Sequence, residues 1–234
     1  MSSSKAQYWV VIPAAGCGSR MQSDIPKQYL SIQEKSILEH TLDCFVNHAS
    51  ISGVVVSVSK EDKRWPDIVA KYPDIKSTEG GAERFQSVLN GLRYLTELAN
   101  GNDWVLVHDA ARPCLRQSDL EKLISELSSH DVGGLLGLPM ADTVKRCNDQ
   151  DTVNETVPRY DLWRALTPQM FRFATLKKAL EQSLADNALV TDEASAIERL
   201  GLRPKMVAGH SDNIKVTRPE DLELAQLYLA ARNS

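Results

Sequence analysis

Trp9-Val10-Val11-Ile12 runs straight into Pro13-Ala14-Ala15-Gly16-Cys17-Gly18-Ser19-Arg20-Met21, and Pro26-Lys27-Gln28-Tyr29-Leu30 follows. An unbroken apolar, β-branched run of this kind reads as a strand buried on both faces, the pattern of a parallel sheet. Ala14, Ala15, Gly16 and Gly18 lack bulk, so their backbone can approach a ligand and aim N–H groups at phosphate oxygens beyond the strand's carboxyl end. Many α/β chains need a small-residue turn merely to enter a helix, so the turn alone carries little weight. Arg20 and Lys27 add chemistry to it. A triphosphate is highly anionic, attack at its α-phosphorus gathers charge on the non-bridging oxygens, and a guanidinium with an ammonium stabilises that charge. The spacing matches neither GxxxxGK[ST] nor GxGxxG, which counts against a P-loop NTPase and a dinucleotide-dependent dehydrogenase.

Outward from this strand, Val54–Val58, Trp104–Val107 and Val132–Leu138 repeat the buried-strand pattern. Helical spacing separates them, with Ile37, Leu38, Leu42, Phe45 and Val46 inside Ser36–Asn47, and Phe85, Val88, Leu89, Leu92, Leu95 and Leu98 inside Arg84–Leu98. The alternation predicts an α/β fold: a Rossmann-like, mostly parallel sheet with right-handed crossovers and helices on both faces. From Pro139 to about Leu162 the rhythm breaks. Thr143–Arg146 and Asn154–Val157 read as short strands around Asn148–Asp151, a projecting β-arm inserted at about 139–162. An isolated hairpin is marginal in water, so the arm calls for a partner, naturally a second copy of the chain; a solvated excursion is the alternative. Helices are then predicted over Ala174–Leu184 and Asp192–Leu200, with Thr191 and Asp192 as caps. A short strand around Ile214–Val216 and a closing helix over Arg218–Ala231, with Pro219 in its first turn, complete the chain.

With 234 residues, 42% apolar and 25% charged, the chain suits one globular core without repeats or low-complexity stretches. A formal charge of −4 offers no footprint for nucleic acid or an anionic membrane surface. No stretch approaches the roughly 18 apolar residues of a span, and the N-terminal run lacks a signal-like apolar region, so a cytoplasmic location is expected. Cys17, Cys44, Cys114 and Cys147 are scattered without a CxxC pair and read as free thiols. Cys17 has no base beside it in sequence and reads as a tolerated small side chain.

The run PAAGCGSRM followed by PKQYL resembles the signature of nucleotidyltransferases that activate small sugar phosphates. Further segments narrow the resemblance to the 2-C-methyl-D-erythritol 4-phosphate cytidylyltransferase family of the non-mevalonate isoprenoid pathway. They are Gly80-Gly81-Ala82-Glu83-Arg84, Val107-His108-Asp109-Ala110-Ala111-Arg112-Pro113, Asp142-Thr143-Val144-Lys145-Arg146, Trp163-Arg164-Ala165-Leu166-Thr167-Pro168-Gln169, Thr191-Asp192-Glu193-Ala194-Ser195 and Asp212-Asn213-Ile214-Lys215-Val216-Thr217. The likeness runs over nearly the whole chain and implies one nucleotidyltransferase domain over 1–234. Where the family often has Asp, position 82 here is Ala, so any side-chain contact from that point is lost while a backbone contact can remain.

The resemblance implies CTP and a small polyol phosphate as substrates, with Pro13, Ala14, Ala15, Gly16, Cys17, Gly18, Gly81, Ala82, Ser87 and Asp109 at the nucleotide. It implies catalytic roles for Arg20, Lys27 and Lys215. Ala110, Arg112, Thr143, Arg159, Thr167, Thr191 and Lys215 fall on the acceptor side. Asp109, a carboxylate ending a strand, suits Mg2+, which favours carboxylate and phosphate oxygens in an octahedral shell; capping the next turn is its simpler role. The resemblance suggests that the ion is held largely by CTP, with Asp109 direct or water-mediated. His108 reads as a packed histidine, because an attacking phosphate needs no base. Since Thr143 and Arg159 lie on or near the arm, a homodimer in which one subunit's arm completes the other's site is expected. A ribitol or ribulose phosphate cytidylyltransferase, or a nucleotide-binding regulator without turnover, are the rival readings.

Overall fold

The computed structural model describes residues 6–16 and 25–232. In chain order its elements begin with β1 (Tyr8–Pro13), a 3-10 turn at Lys27–Tyr29, β2 (Ser31–Ile32), β3 (Lys35–Ser36), α1 (Ile37–Val46), β4 (Ile51–Val58), α2 (Trp65–Val69), β5 (Lys76–Glu79) and α3 (Arg84–Leu95). Then come β6 (Trp104–Val107), α4 (Gln117–Leu127), β7 (Gly133–Pro139), β8 (Val144–Cys147), β9 (Val153–Val157) and β10 (Trp163–Arg172). The chain closes with α5 (Phe173–Ala185), α6 (Glu193–Arg199), β11 (Lys205–Ala208) and α7 (Pro219–Arg232).

Seven strands form one sheet in the order β11-β7-β10-β6-β1-β4-β5. All neighbours run parallel except β10, which is antiparallel to both β6 and β7. The mostly parallel α/β architecture expected from the sequence is therefore present. Alternation along β1 sends Val10 and Ile12 to one face, against Leu38, Leu42 and Phe45 of α1 and Leu120, Leu123 and Leu127 of α4. Val11 goes to the other, against Val88, Leu89 and Leu92 of α3 and Leu176 and Leu180 of α5. Each such side chain contributes roughly 1.5–3 kcal/mol on burial, so β1 is clamped from both sides.

Local signals agree with this packing. Ser36 caps α1 with a capping box, its hydroxyl accepting the Glu39 N–H while Glu39 accepts the Ser36 N–H. Asp192 caps α6 in the same way with Ser195. The strand expected at Ile214–Val216 is absent. That segment is held by single contacts such as Val216 N–H to the Ala111 carbonyl, 2.8 Å, and the edge strand is β11 instead, parallel to β7. β8 and β9 pair only with each other, antiparallel, and are mostly exposed. Val153, Tyr160 and Trp163 on or beside this hairpin are exposed apolar residues.

Candidate active site

From β1 the chain winds outward through β4 to β5, then returns to β6 on the other side of β1. The connections leaving β1 and β6 diverge, and such a switch point opens a crevice beyond the carboxyl ends of those strands. A cleft of about 380 Å3 lies there, lined by residues 13–16 after β1, Lys27 and Gln28, residues 81–84 with Ser87 of α3, residues 109–111 after β6, and Lys215 with Thr217.

The turn after β1 is held from two sides. The Ala14 N–H continues the β1–β4 ladder to the Ser57 carbonyl at 2.7 Å. The buried Gln28 amide donates to the carbonyls of Ala14 at 2.9 Å and Gly16 at 3.2 Å. In a trans peptide the N–H points opposite to its carbonyl, so this staple turns the Ala15 N–H away from Gln28. It also ties the turn to Lys27, the preceding residue of the 3-10 turn, whose Tyr29 hydroxyl is anchored on Asp62 at 2.6 Å. Gly80 brings the β5–α3 turn against Ala15, where any side chain would collide with the Ala15 methyl. Ser87 fastens this turn by accepting the Gly81 N–H at 3.0 Å.

Charge concentrates around Asp109. Its Oδ1 accepts from Arg84 Nε at 2.9 Å, while Oδ2 meets Lys215 Nζ at 2.9 Å and Arg112 Nε at 3.4 Å. Burial alone would raise the Asp109 pKa, but Arg84, Lys215 and Arg112 outweigh it and hold the carboxyl well below the usual carboxylate range. Arg84 in turn grips the fully buried Glu193 through two contacts, 2.7 and 3.0 Å. Burial works against its charge, yet Glu193 and Asp109 push the guanidinium further up.

His108 is fully buried beneath this cluster, edge-on to Phe45 at 5.2 Å. Its Nε2 pairs with the Arg112 carbonyl at 3.1 Å and its Nδ1 with the Thr167 hydroxyl at 2.9 Å. Burial pushes the imidazole down to about 4, so it is neutral near pH 7, with Nε2–H donating to the carbonyl. This is a packed histidine.

Of the residues singled out in the sequence, Pro13, Ala14, Ala15, Gly16, Lys27, Gly81, Ala82, Ser87, Asp109, Ala110 and Lys215 line the cleft together. Arg20, Cys17 and Gly18 lie outside the described residues. Arg112 is buried behind the lining, its Nη1 donating to the Asn213 carbonyl at 2.7 Å. Thr167, expected at the acceptor, is buried with its hydroxyl engaged by the Asp109 N–H at 3.2 Å and by His108. Its hydroxyl is thereby engaged within the protein, and Thr167 is not among the lining residues of the cleft. Thr191 is exposed at the start of α6, and Thr143 and Arg159 are exposed on the hairpin side, with Arg159 bonded to the Ala141 carbonyl; none of them lines the cleft. Gln28, Arg84 and Thr217 are lining residues that sequence reasoning left without a role. Gln28 and Arg84 sat inside quoted motifs, but their partners lie 12 to 109 residues away.

As a magnesium ligand Asp109 is a poor fit, because both of its oxygens are taken by cations. Among the described residues no three His, Cys, Asp or Glu side chains gather as a metal site. Among the described residues, the side chains therefore gather no multi-ligand site for the ion. A larger groove of about 960 Å3 lies elsewhere, between α1, the residues following β6, and α7. Its charges close on one another: Lys35 on Asp43 at 2.6 Å, Arg116 and Arg232 on Asp212 at 2.8 and 2.7 Å.

The family model for 2-C-methyl-D-erythritol 4-phosphate cytidylyltransferase matches residues 8–231. The protein of that name from Pseudomonas fluorescens (strain SBW25) is 53% identical over 234 residues, covering 99% of this chain and 100% of the relative. Its namesake from Vibrio vulnificus (strain YJ016) is 50% identical over 231 residues, covering 98% of each. A crystal structure of 4-diphosphocytidyl-2C-methyl-D-erythritol synthase superposes with a TM-score of 0.85 at 38% identity, covering 96% of this chain and 100% of that one. With the switch-point cleft and its cations in place, this likeness over the full length decides the matter: the chain belongs to the 2-C-methyl-D-erythritol 4-phosphate cytidylyltransferase family.

Proposed function

We propose that the cleft beyond β1 and β6 is where the chain transfers the cytidylyl group of CTP to 2-C-methyl-D-erythritol 4-phosphate, releasing pyrophosphate. The observation that carries the site assignment is the convergence of Arg84 and Lys215 on the Asp109 carboxylate, in a cleft that Lys27 also lines, beside the small-residue turn at 13–16. An acceptor phosphate oxygen attacks the α-phosphorus, forming one P–O bond as the bond to the β-phosphate breaks, and pyrophosphate leaves with the electron pair. No proton has to move, which agrees with a buried, neutral His108. Catalysis is then positioning and charge stabilisation.

In this reading the backbone at Ala14–Gly16 and Gly81–Ala82 meets the nucleotide, and Lys27, with Arg20, stabilises the charge developing on its phosphates. Lys215, far from the β1 turn in sequence but anchored to Asp109, bridges to the acceptor phosphate, with Ala110 and Arg112 nearby. Magnesium enters as part of the substrate Mg·CTP, neutralising phosphate oxygens, and Asp109 organises cations rather than the ion. Thr143 and Arg159 serve the cleft of a second subunit through the arm. The exposed apolar residues Val153, Tyr160 and Trp163 support that pairing, since an isolated hairpin gains little from them.

The test is CTP-dependent pyrophosphate release with methylerythritol phosphate and ribitol phosphate offered separately. Release with the former alone is expected. Release with ribitol phosphate alone keeps the cleft and chemistry but moves the substrate, and no release with either contradicts the reading.

A further inference from the structure

Glu193 is the buried charge that the transfer chemistry leaves unused. It is fully buried at the first residue of α6, does not line the cleft, and presents both carboxylate oxygens to Arg84. A buried ion pair is a poor device for stability alone, because apolar residues of similar volume often do as well or better. A guanidinium has a fixed fork, so engaging Nη1 and Nη2 on Glu193 at 2.7 and 3.0 Å also fixes where Nε points. It points at Asp109 Oδ1, 2.9 Å away, while Oδ2 meets Lys215 at 2.9 Å and, more distantly, Arg112 at 3.4 Å.

Glu193 is itself held against the framework that carries Asp109. Gln169 on β10 accepts the Ala194 N–H at 2.8 Å and donates to Asp192 at 2.9 Å, tying the start of α6 to that strand. β10 pairs with β6, Gln169 opposite Val107, two residues before Asp109. Both ends of the charge relay are thus referenced to the same pair of strands.

We propose that Glu193 is a positioning residue for cytidylyl transfer: through Arg84 it fixes the Asp109 carboxylate that sets the place of the Lys215 ammonium. The inference rests on the functional reading given above and concerns a residue outside the substrate cleft. Removing the Glu193 charge frees Arg84 to turn, releases Asp109 Oδ1 and lets Lys215 drift, and a displacement of about 1 Å at a reacting group costs up to roughly 100-fold in rate.

The experiment measures pyrophosphate release by the purified full chain for the wild type, Glu193→Gln, Lys215→Ala and their combination. Glu193→Gln is expected to lower kcat about 10- to 100-fold with each KM within about threefold. Added to Lys215→Ala, it is expected to cost less than about twofold more, because the path it acts through is gone. A wild-type kcat in Glu193→Gln overturns the proposal, as does a fall in KM alone, which marks bulk electrostatics, or an undiminished loss on top of Lys215→Ala. If Glu193→Gln does not fold, Glu193→Asp, which keeps the charge and shortens its reach to Arg84, replaces it. A folded Glu193→Asp with low kcat and unchanged KM supports the proposal and one with wild-type kcat overturns it. An inactive wild type would instead overturn the functional reading.

Discussion

Among the described residues, the groove beside α1 and α7 and the cleft beyond β1 and β6 differ in size and in how their charges are arranged. The groove of about 960 Å3 beside α1 and α7 balances Lys35, Arg116 and Arg232 against Glu34, Asp43 and Asp212. The cleft of about 380 Å3 sets Lys27, Arg84 and Lys215 against Glu83 and Asp109, leaving a positive surplus among the described residues. It also places the small-residue turn after β1 beside those cations. The groove's ion pairs satisfy themselves, whereas in the cleft Arg84 and Lys215 converge on the single carboxylate of Asp109 and Lys27 lines the same space. The proposed site is chosen by topology and charge imbalance, not by volume.

The largest effect is expected from Lys27→Ala, which should lower kcat at least ~100-fold, the scale for losing one preorganised charge donor. A folded variant with wild-type turnover in the pyrophosphate assay would dismantle the contrast. A second test asks whether the cleft is complete in one chain. Lys27→Ala and Arg159→Ala, each inactive alone, should recover about a quarter of wild-type activity when unfolded and refolded together, because half the dimers pair one intact cleft with one intact arm. No recovery, together with a monomeric wild type in sedimentation, contradicts the arm's role.

The third prediction concerns the packing under the cleft. Unfolded, His108 takes up a proton below its ordinary value near 6.5, but folded it stays neutral down to about 4. Unfolding therefore binds a proton in that window and stability falls as pH falls, by about 2 kcal/mol from pH 7 to 5. Below about 4, Asp109 continues the loss, because its carboxyl stays ionised only when folded. Denaturant titrations at pH 7 and 5 on the wild type and His108→Gln check this; an equal slope in both places the loss elsewhere. The smallest effect belongs to the groove. Lys35→Ala removes an exposed pair with Asp43 and should change stability by less than ~0.5 kcal/mol and leave turnover unchanged. A large fall in turnover there would return the groove to consideration.

Much of the fold was legible because it is local. The apolar run at Trp9–Ile12, the Asp192 cap and the hairpin around Asn148–Asp151 each announce themselves within a few residues. β5 escaped because Lys-Ser-Thr-Glu is a polar edge strand, and β10 because it runs antiparallel and contains Pro168 between its two paired stretches. Ile214–Val216 has strand composition but finds only single contacts after β6, while Lys205–Ala208 takes the sheet edge. The same limit governs the site. Lys27, Asp109 and Lys215 could be named from motifs, whereas the Arg84–Glu193 grip spans 109 residues and becomes visible only once α3 and α6 lie side by side. Thr167 was named for its hydroxyl, but burial gives that hydroxyl to His108 and the Asp109 N–H.

A crystal structure grown with CTP and magnesium distinguishes the cleft from the larger groove. The triphosphate is expected between the Ala14–Gly16 turn, Lys27 and Lys215, with the ion on phosphate oxygens and Asp109 still bound to its cations. A triphosphate seated instead on Arg116 and Arg232 in the larger groove would contradict the cleft assignment.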